Sequence, residues 1–99
     1  MAIMEISIIP LGLGHPSVGD YVADIIKYLQ KENILHALTD MGTVVHGDLP
    51  ELLKLAQALH ELPFARQVQR VVTHITIDDR RDKEVHLGDK IKGVQARLP

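Results

Sequence analysis

Ninety-nine residues, 45% hydrophobic and 24% charged, make a chain the size of one small domain and too apolar to stay disordered. A net charge of -2 lacks the basic surplus of a nucleic-acid binder, and the absence of cysteine excludes disulfides, thiolate metal sites and cysteine nucleophiles. MAIMEISIIP has no basic n-region, and no apolar run approaches the roughly 18 residues of a membrane span, so one cytoplasmic domain over residues 1–99 is expected.

Ile3 to Ile9 is rich in β-formers, with Met4, Ile6 and Ile8 as one wholly apolar alternate set and Ile3, Glu5, Ser7 and Ile9 as a mixed one. That pattern predicts a strand with one dry face and one chemically varied face, ended by Pro10. The loop that follows contains Gly12-Leu13-Gly14-His15-Pro16-Ser17, which lacks both the third glycine of a dinucleotide fingerprint and the Gly-Lys-Ser/Thr of a Walker loop. Its glycines are expected to turn the chain from strand to helix through positive φ angles.

Ser17 and Asp20 fit a capping box, and Val18, Tyr21, Val22, Ile25, Ile26 and Leu29 recur at helical spacing. This predicts a helix running to about Glu32 and closed by Asn33. Leu35–Leu38 and Thr43–His46 read as short strands around the turn Thr39-Asp40-Met41-Gly42. A four-residue turn pairs Leu38 with Thr43 and His36 with Val45, and a one-residue shift would exchange the faces of one strand. Asp48 and Glu51 suggest a second capping box, with Leu52, Leu53, Ala56, Leu59 and Leu62 as the stripe of a helix that Pro63 stops. Val68–Ile77 reads as a fourth strand, with Val71, Thr73, Ile75 and Ile77 on one side and Arg70, Val72, His74 and Thr76 on the other. A charged segment, Asp78–Glu84, and a short helix within 86–98, interrupted by Gly88 and Gly93, complete the chain.

The order β-α-β-β-α-β predicts an α+β, ferredoxin-like sandwich: an antiparallel four-stranded sheet with helices on one face, plus a C-terminal tail or helix. The uncovered face is then expected to carry Glu5, Ser7, Ile9, Arg70, Val72, His74 and Thr76, joined from the hairpin by His36, Leu38, Thr43 and Val45. Such a face is too apolar for full solvation and too polar for a plain core, which suits packing between subunits around a partly polar pocket.

Other clusters carry weaker chemistry. The six histidines are scattered over loops, strands and a helix without metal-ligand spacing, so no metal site is expected. Arg80 and Arg81 have the chemistry to grip a phosphate, but Asp78, Asp79 and Asp82 neutralise them locally.

The segments SIIPLG, PSVGDYVADIIKYL, LTDMGTVVHGDLPELL and RVVTHITIDDRRDKE together resemble the small thiamine-binding protein family, over nearly the whole chain. The resemblance implies a ferredoxin-like homotetramer that binds thiamine, or its hydroxymethylpyrimidine part, near subunit interfaces, with no established catalysis. Thiamine would be the ligand and no separate cofactor is implied. Nucleic acid and membrane are not expected as partners. His46 and Asp40 depart from the residues common in that family.

A pocket for thiamine needs apolar walls, hydrogen-bonding groups at the pyrimidine edge and a negative neighbour for the thiazolium cation. Ile9, Leu38 and Val45 are candidate walls, and Ser7 and Thr43 are candidate hydrogen-bonding groups, helped by the backbone at Met41 and Gly42. Glu5 is a candidate counter-charge. Two other readings stand beside this one: a small hydrolase of acylphosphatase type, and an oligomeric interaction or regulatory module without a vitamin ligand. The hydrolase would need an arginine after the first loop, which is absent, and an asparagine, of which Asn33 is the only one.

Overall fold

Alternation along the first strand sets the two faces of the sheet. In the computed structural model, which describes residues 1–99, β1 (Ala2–Leu11) buries Ala2, Met4, Ile6 and Ile8 and turns Glu5 and Ile9 outward. Helix α1 (Gly19–Lys31) leads to β2 (His36–Leu38) and β3 (Thr43–Gly47). Helix α2 (Leu49–Glu61), a 3-10 turn (Leu62–Arg66), β4 (Arg70–Asp78) and α3 (Asp89–Gln95) follow. The four strands form one antiparallel sheet in the order β2-β3-β1-β4, the ferredoxin-like topology expected from the element order.

The core lies between this sheet and the first two helices. Met4, Leu29, Val45 and Leu59 are completely enclosed, with Ile25, Leu52, Leu55 and Ala56 completing the apolar layer. Leu55 replaces the expected Leu53, which stays 51% exposed on α2. His60 is on the same helix and its Nδ1 lies 2.6 Å from the Thr73 hydroxyl, a satisfied link between helix and sheet.

Several local expectations change. β1 continues through Pro10, which pairs with Val71, to Leu11. At this level β1 has no β3 partner, so Pro10 occupies an edge, where a missing N–H is tolerated. Helix α1 starts at Gly19 and not at Ser17; Val18 takes the N-cap position, and its carbonyl accepts hydrogen bonds from Tyr21 and Val22. Asp48 does take the N-cap position of α2, but its side chain makes no capping bond. The end of α1 is a Schellman motif: Asn33 adopts φ 54°, its N–H donates to Gln30, and the N–H of Ile34 donates to Leu29.

The hairpin pairs as its four-residue turn dictates, with Leu38 opposite Thr43 and His36 opposite Val45. Its placement against β1 reverses the expected faces. Val45 pairs with Met4 and Thr43 with Ile6, so both lie on the helix side of the sheet, 0% and 3% exposed. Cross-strand partners share a face, and His36 and Leu38 therefore belong to the helix side as well, at its rim. Val44 and His46, opposite Glu5 and Ile3, take the uncovered face instead.

Asp24 on α1 holds Arg66 after α2 through two hydrogen bonds of 2.6 and 3.1 Å. The hydrogen bond from the guanidinium keeps the Asp24 carboxyl below its ordinary pKa. A lowered folded-state pKa contributes stability above the unfolded value, lost as pH falls through the folded one. Arg66→Ala should therefore lower Tm modestly at neutral pH, and the difference from wild type should disappear in strong acid; thermal melts across pH check this. Leu59→Ala should cost about 2–5 kcal/mol in urea unfolding, against less than about 0.5 kcal/mol for the exposed Leu53→Ala.

Candidate functional site

The two ladders on either side of β1 have unequal lengths. β1 pairs with β4 from Ile3 to Leu11, but with β3 only from Ala2 to Ile6. From Ser7 onward the β3-side edge of β1 has no strand beside it. The hairpin turn and the first half of α1 meet this bare edge and leave a cleft of about 160 Å³.

This cleft gathers six of the eight candidate residues: Ser7 and Ile9 from β1, Leu38, Met41 and Gly42 from the hairpin, and Thr43 from β3. Val18 at the N-cap of α1 and Val22 and Ile25 within it line the cleft too, together with Thr39 and Asp40. Two candidates are elsewhere. Val45 is sealed in the core, and Glu5 faces a second cleft on the opposite side of the sheet. The α1 contribution was hidden in the sequence because those residues already read as a helix stripe.

The turn is held by one side chain. The Thr39 hydroxyl donates to the Gly42 carbonyl at 2.8 Å and accepts the N–H groups of Met41 and Gly42, both at 3.2 Å. The backbone donors expected to serve a ligand are thus occupied inside the turn. The signal was present in Thr39-Asp40-Met41-Gly42, since a threonine opening such a turn commonly bonds backbone two and three residues ahead. Gly42 has a steric role: a Cβ there would stand 3.0 Å from the Ile6 carbonyl oxygen and 3.3 Å from Glu5 Cγ.

Chemically, the cleft has aliphatic walls, the hydroxyls of Ser7, Thr39 and Thr43, and Asp40 as its single ionisable residue. No cation lines it. Such a lining is complementary to a flat, neutral or cationic ring and supplies no positive charge for an anion. Met41, 82% exposed, stands at the rim as an unpacked thioether.

The uncovered face is less open than expected, because the C-terminal segment returns across it. Ile3, Glu5, Val44 and Thr76 on the sheet, with Val85, Leu87 and Ile91 from that segment, border a cleft of about 390 Å³. His46 fastens the segment: its Nε2 lies 2.7 Å from the Val85 carbonyl oxygen, and its ring centroid is 5.7 Å from that of His86.

Other candidates resolve simply. Gly12 and Gly14 have φ of 78° and 80°, so the loop turns the chain as its glycines suggested. Arg80 pairs with Asp82 at 2.6 Å and Arg81 with Asp79 at 2.8 Å, lowering the pKa of both carboxyls through hydrogen bonding. Asp78 departs from the expected cluster and pairs with Lys90 at 3.2 Å. No group of three His, Cys, Asp or Glu side chains is arranged to hold a metal ion, and no helix is long and apolar enough to cross a membrane.

Comparison with known proteins agrees with this architecture. A family model described as thiamine-binding protein matches residues 4–95. A UPF0045 protein of Bacillus subtilis is 45% identical over 102 residues, covering 99% of this chain and 98% of its own. A UPF0045 protein of Methanothermobacter thermautotrophicus is 36% identical, covering 99% and 100%. The crystal structure of a hypothetical protein from Methanocaldococcus jannaschii superposes with a TM-score of 0.82 at 38% identity, covering 95% of each chain. A Thermotoga maritima protein, named as a candidate thiamine biosynthesis/salvage protein, shares the fold with a TM-score of 0.75 at 15% identity, covering 94% of this chain and 97% of its own.

The tight approach at Gly42 predicts that Gly42→Ala destabilises by about 1–3 kcal/mol in urea unfolding, because backbone and not a flexible side chain must yield. Thr39→Val should raise amide exchange at Met41 and Gly42, measurable by NMR, while leaving exchange in β4 unchanged.

Proposed function

Because the chain belongs to the thiamine-binding protein family, we propose that it binds thiamine or the hydroxymethylpyrimidine moiety without catalysing a reaction, as a carrier, buffer or sensor. The observation that carries this reading is the cleft beside the bare edge of β1, with its aliphatic walls, hydroxyl groups and lone carboxylate. At about 160 Å³ it matches one six-membered ring, since an apolar cavity of about 150 Å³ holds benzene. The aminopyrimidine would enter, with Ser7 and Thr43 at its donor and acceptor edges and Ile9 and Leu38 against its faces.

The thiazolium would remain at the mouth, where Asp40 supplies the opposite charge and the Met41 thioether an apolar contact. These roles replace those expected of Glu5 and Val45, and of the Met41 and Gly42 amides. A second subunit over the mouth would cover the thiazolium, which accords with the homotetramer implied by the family resemblance. The acylphosphatase alternative has little to build on: Asn33 is committed to ending α1, and the first loop supplies no arginine.

Calorimetric titration with thiamine, hydroxymethylpyrimidine and thiamine diphosphate tests the proposal. The first two should bind and the diphosphate more weakly, for want of a cation in the cleft. Ser7→Ala and Thr43→Ala should each weaken binding by about 2- to 10-fold, the worth of one hydrogen bond. Asp40→Asn should weaken thiamine and leave the uncharged pyrimidine unaffected. Silence from both thiamine and the pyrimidine would overturn the assignment.

A further inference from the structure

A cleft of about 590 Å³ opens where β1 runs into the glycine loop and the 3-10 turn runs into β4. Gly12 and Tyr21 border it, together with Arg66, Gln67, Gln69 and Arg70. Its charged side chains are the two arginines, and no carboxylate lines it. The clefts beside β1 and under the C-terminal segment both hold carboxylates, Asp40 in the first and Glu5, Asp78 and Asp89 in the second. This one has the opposite sign.

The two arginines are prepared differently. Asp24 accepts hydrogen bonds from Nε and Nη2 of Arg66 at 2.6 and 3.1 Å, and the guanidinium carbon lies 5.7 Å from the centroid of the Tyr21 ring. These contacts orient the guanidinium and leave its Nη1 hydrogens to another acceptor. Asp24 itself is outside the lining. Arg70 is exposed at the start of β4 and forms no ion pair within the chain, so its charge is uncompensated. Between the two, Gln67 adopts φ 64°, a left-handed conformation that a glutamine enters at a cost. Val68 is buried beside it, which keeps Gln67 and Gln69 on the solvent side.

We infer that this cleft binds a phosphate monoester of a small hydroxylated molecule, such as a sugar phosphate. One guanidinium suffices for the two oxygens of a carboxylate, whereas a phosphoryl group has three oxygens and a charge near -2, acceptors enough for both arginines. Arg70 supplies the uncompensated charge and Arg66 a pre-oriented donor edge. The Gln67 and Gln69 amides offer donors and acceptors to the hydroxyl groups of the remaining ligand. A volume of about 590 Å³ exceeds what a bare ion needs and is ordinary for a small-molecule site. The ring-binding cleft shares no lining residue with it.

Titration followed by NMR of the backbone amides and arginine Nε–H groups tests this, at constant ionic strength and without thiamine. Ribose 5-phosphate should give saturable shifts at Gly12 and residues 66–70, and ribose none. Inorganic phosphate should shift the same signals but saturate at about 2- to 10-fold higher concentration, lacking the amide contacts. Arg70→Gln should weaken ribose 5-phosphate by about 10-fold or more, the loss of a charge-assisted hydrogen bond. Its Tm should match that of the unmodified chain, because Arg70 has no ion-pair partner to lose. The Arg80→Gln/Arg81→Gln double variant should titrate normally.

Shifts that grow without saturating, an unchanged response in Arg70→Gln, or silence would overturn the site. Acetate saturating the same signals as tightly as inorganic phosphate would overturn the phosphoryl assignment in favour of a carboxylate. Thiamine is absent throughout, so failure here and failure of the thiamine reading are separate results.

Discussion

The mismatch between the two ladders of β1 is the constraint on which the rest depends. β4 accompanies β1 to its end, whereas β3 stops opposite Ile6 because the chain turns at Thr39–Gly42. Everything distinctive about the candidate site follows. Pro10 is tolerated within the strand, Ser7 and Ile9 reach a cleft though they point away from the helices, and α1 can approach the exposed edge. The turn must also pass close to β1, which leaves room for a glycine and nothing larger at position 42.

Charge divides the surface into regions with different chemistry. At the cleft the sole ionisable residue is Asp40, so the local charge is negative and complements a neutral or cationic group. The arginines near the C-terminal end of β4 have the opposite sign but are engaged by carboxylates two residues away. Those pairs are exposed and contribute little stability, yet they remove the arginines as ready anion sites. The family relationship points to a thiamine-related ligand, and the lining of the cleft holds one carboxylate and no cation.

Much of the fold was legible because it rests on short-range rules. Met4, Ile6 and Ile8 identify the buried face of β1 by alternation alone, and Val71 and Ile77 mark the helix side of β4, where they are partly buried against the core. The four-residue turn establishes the internal register of the hairpin. Positive φ at Gly12 and Gly14 follows from composition, and Pro63 ends α2 as its missing N–H requires. The less legible features involve surfaces brought together from distant positions. Val44 and Val45 are adjacent and equally apolar, so periodicity does not say which one meets Met4. The C-terminal segment has few apolar residues and interrupting glycines, and nothing local announces that His46 will fasten it across the sheet.

The amino-acid sequence by itself determined the order of elements, the dry face of the central strand β1 and the family, since these depend on alternation, helical spacing and motif recurrence along the chain. Tertiary structure alone decided which face of the hairpin joins the core, where β3 abandons β1, and which candidate residues share a cleft. The physical reason is that strand-to-strand register and sheet-to-helix approach are set by packing Val45 on Met4 and the turn on Ile6. Those contacts join residues some forty positions apart, a separation over which periodicity carries no information about partners.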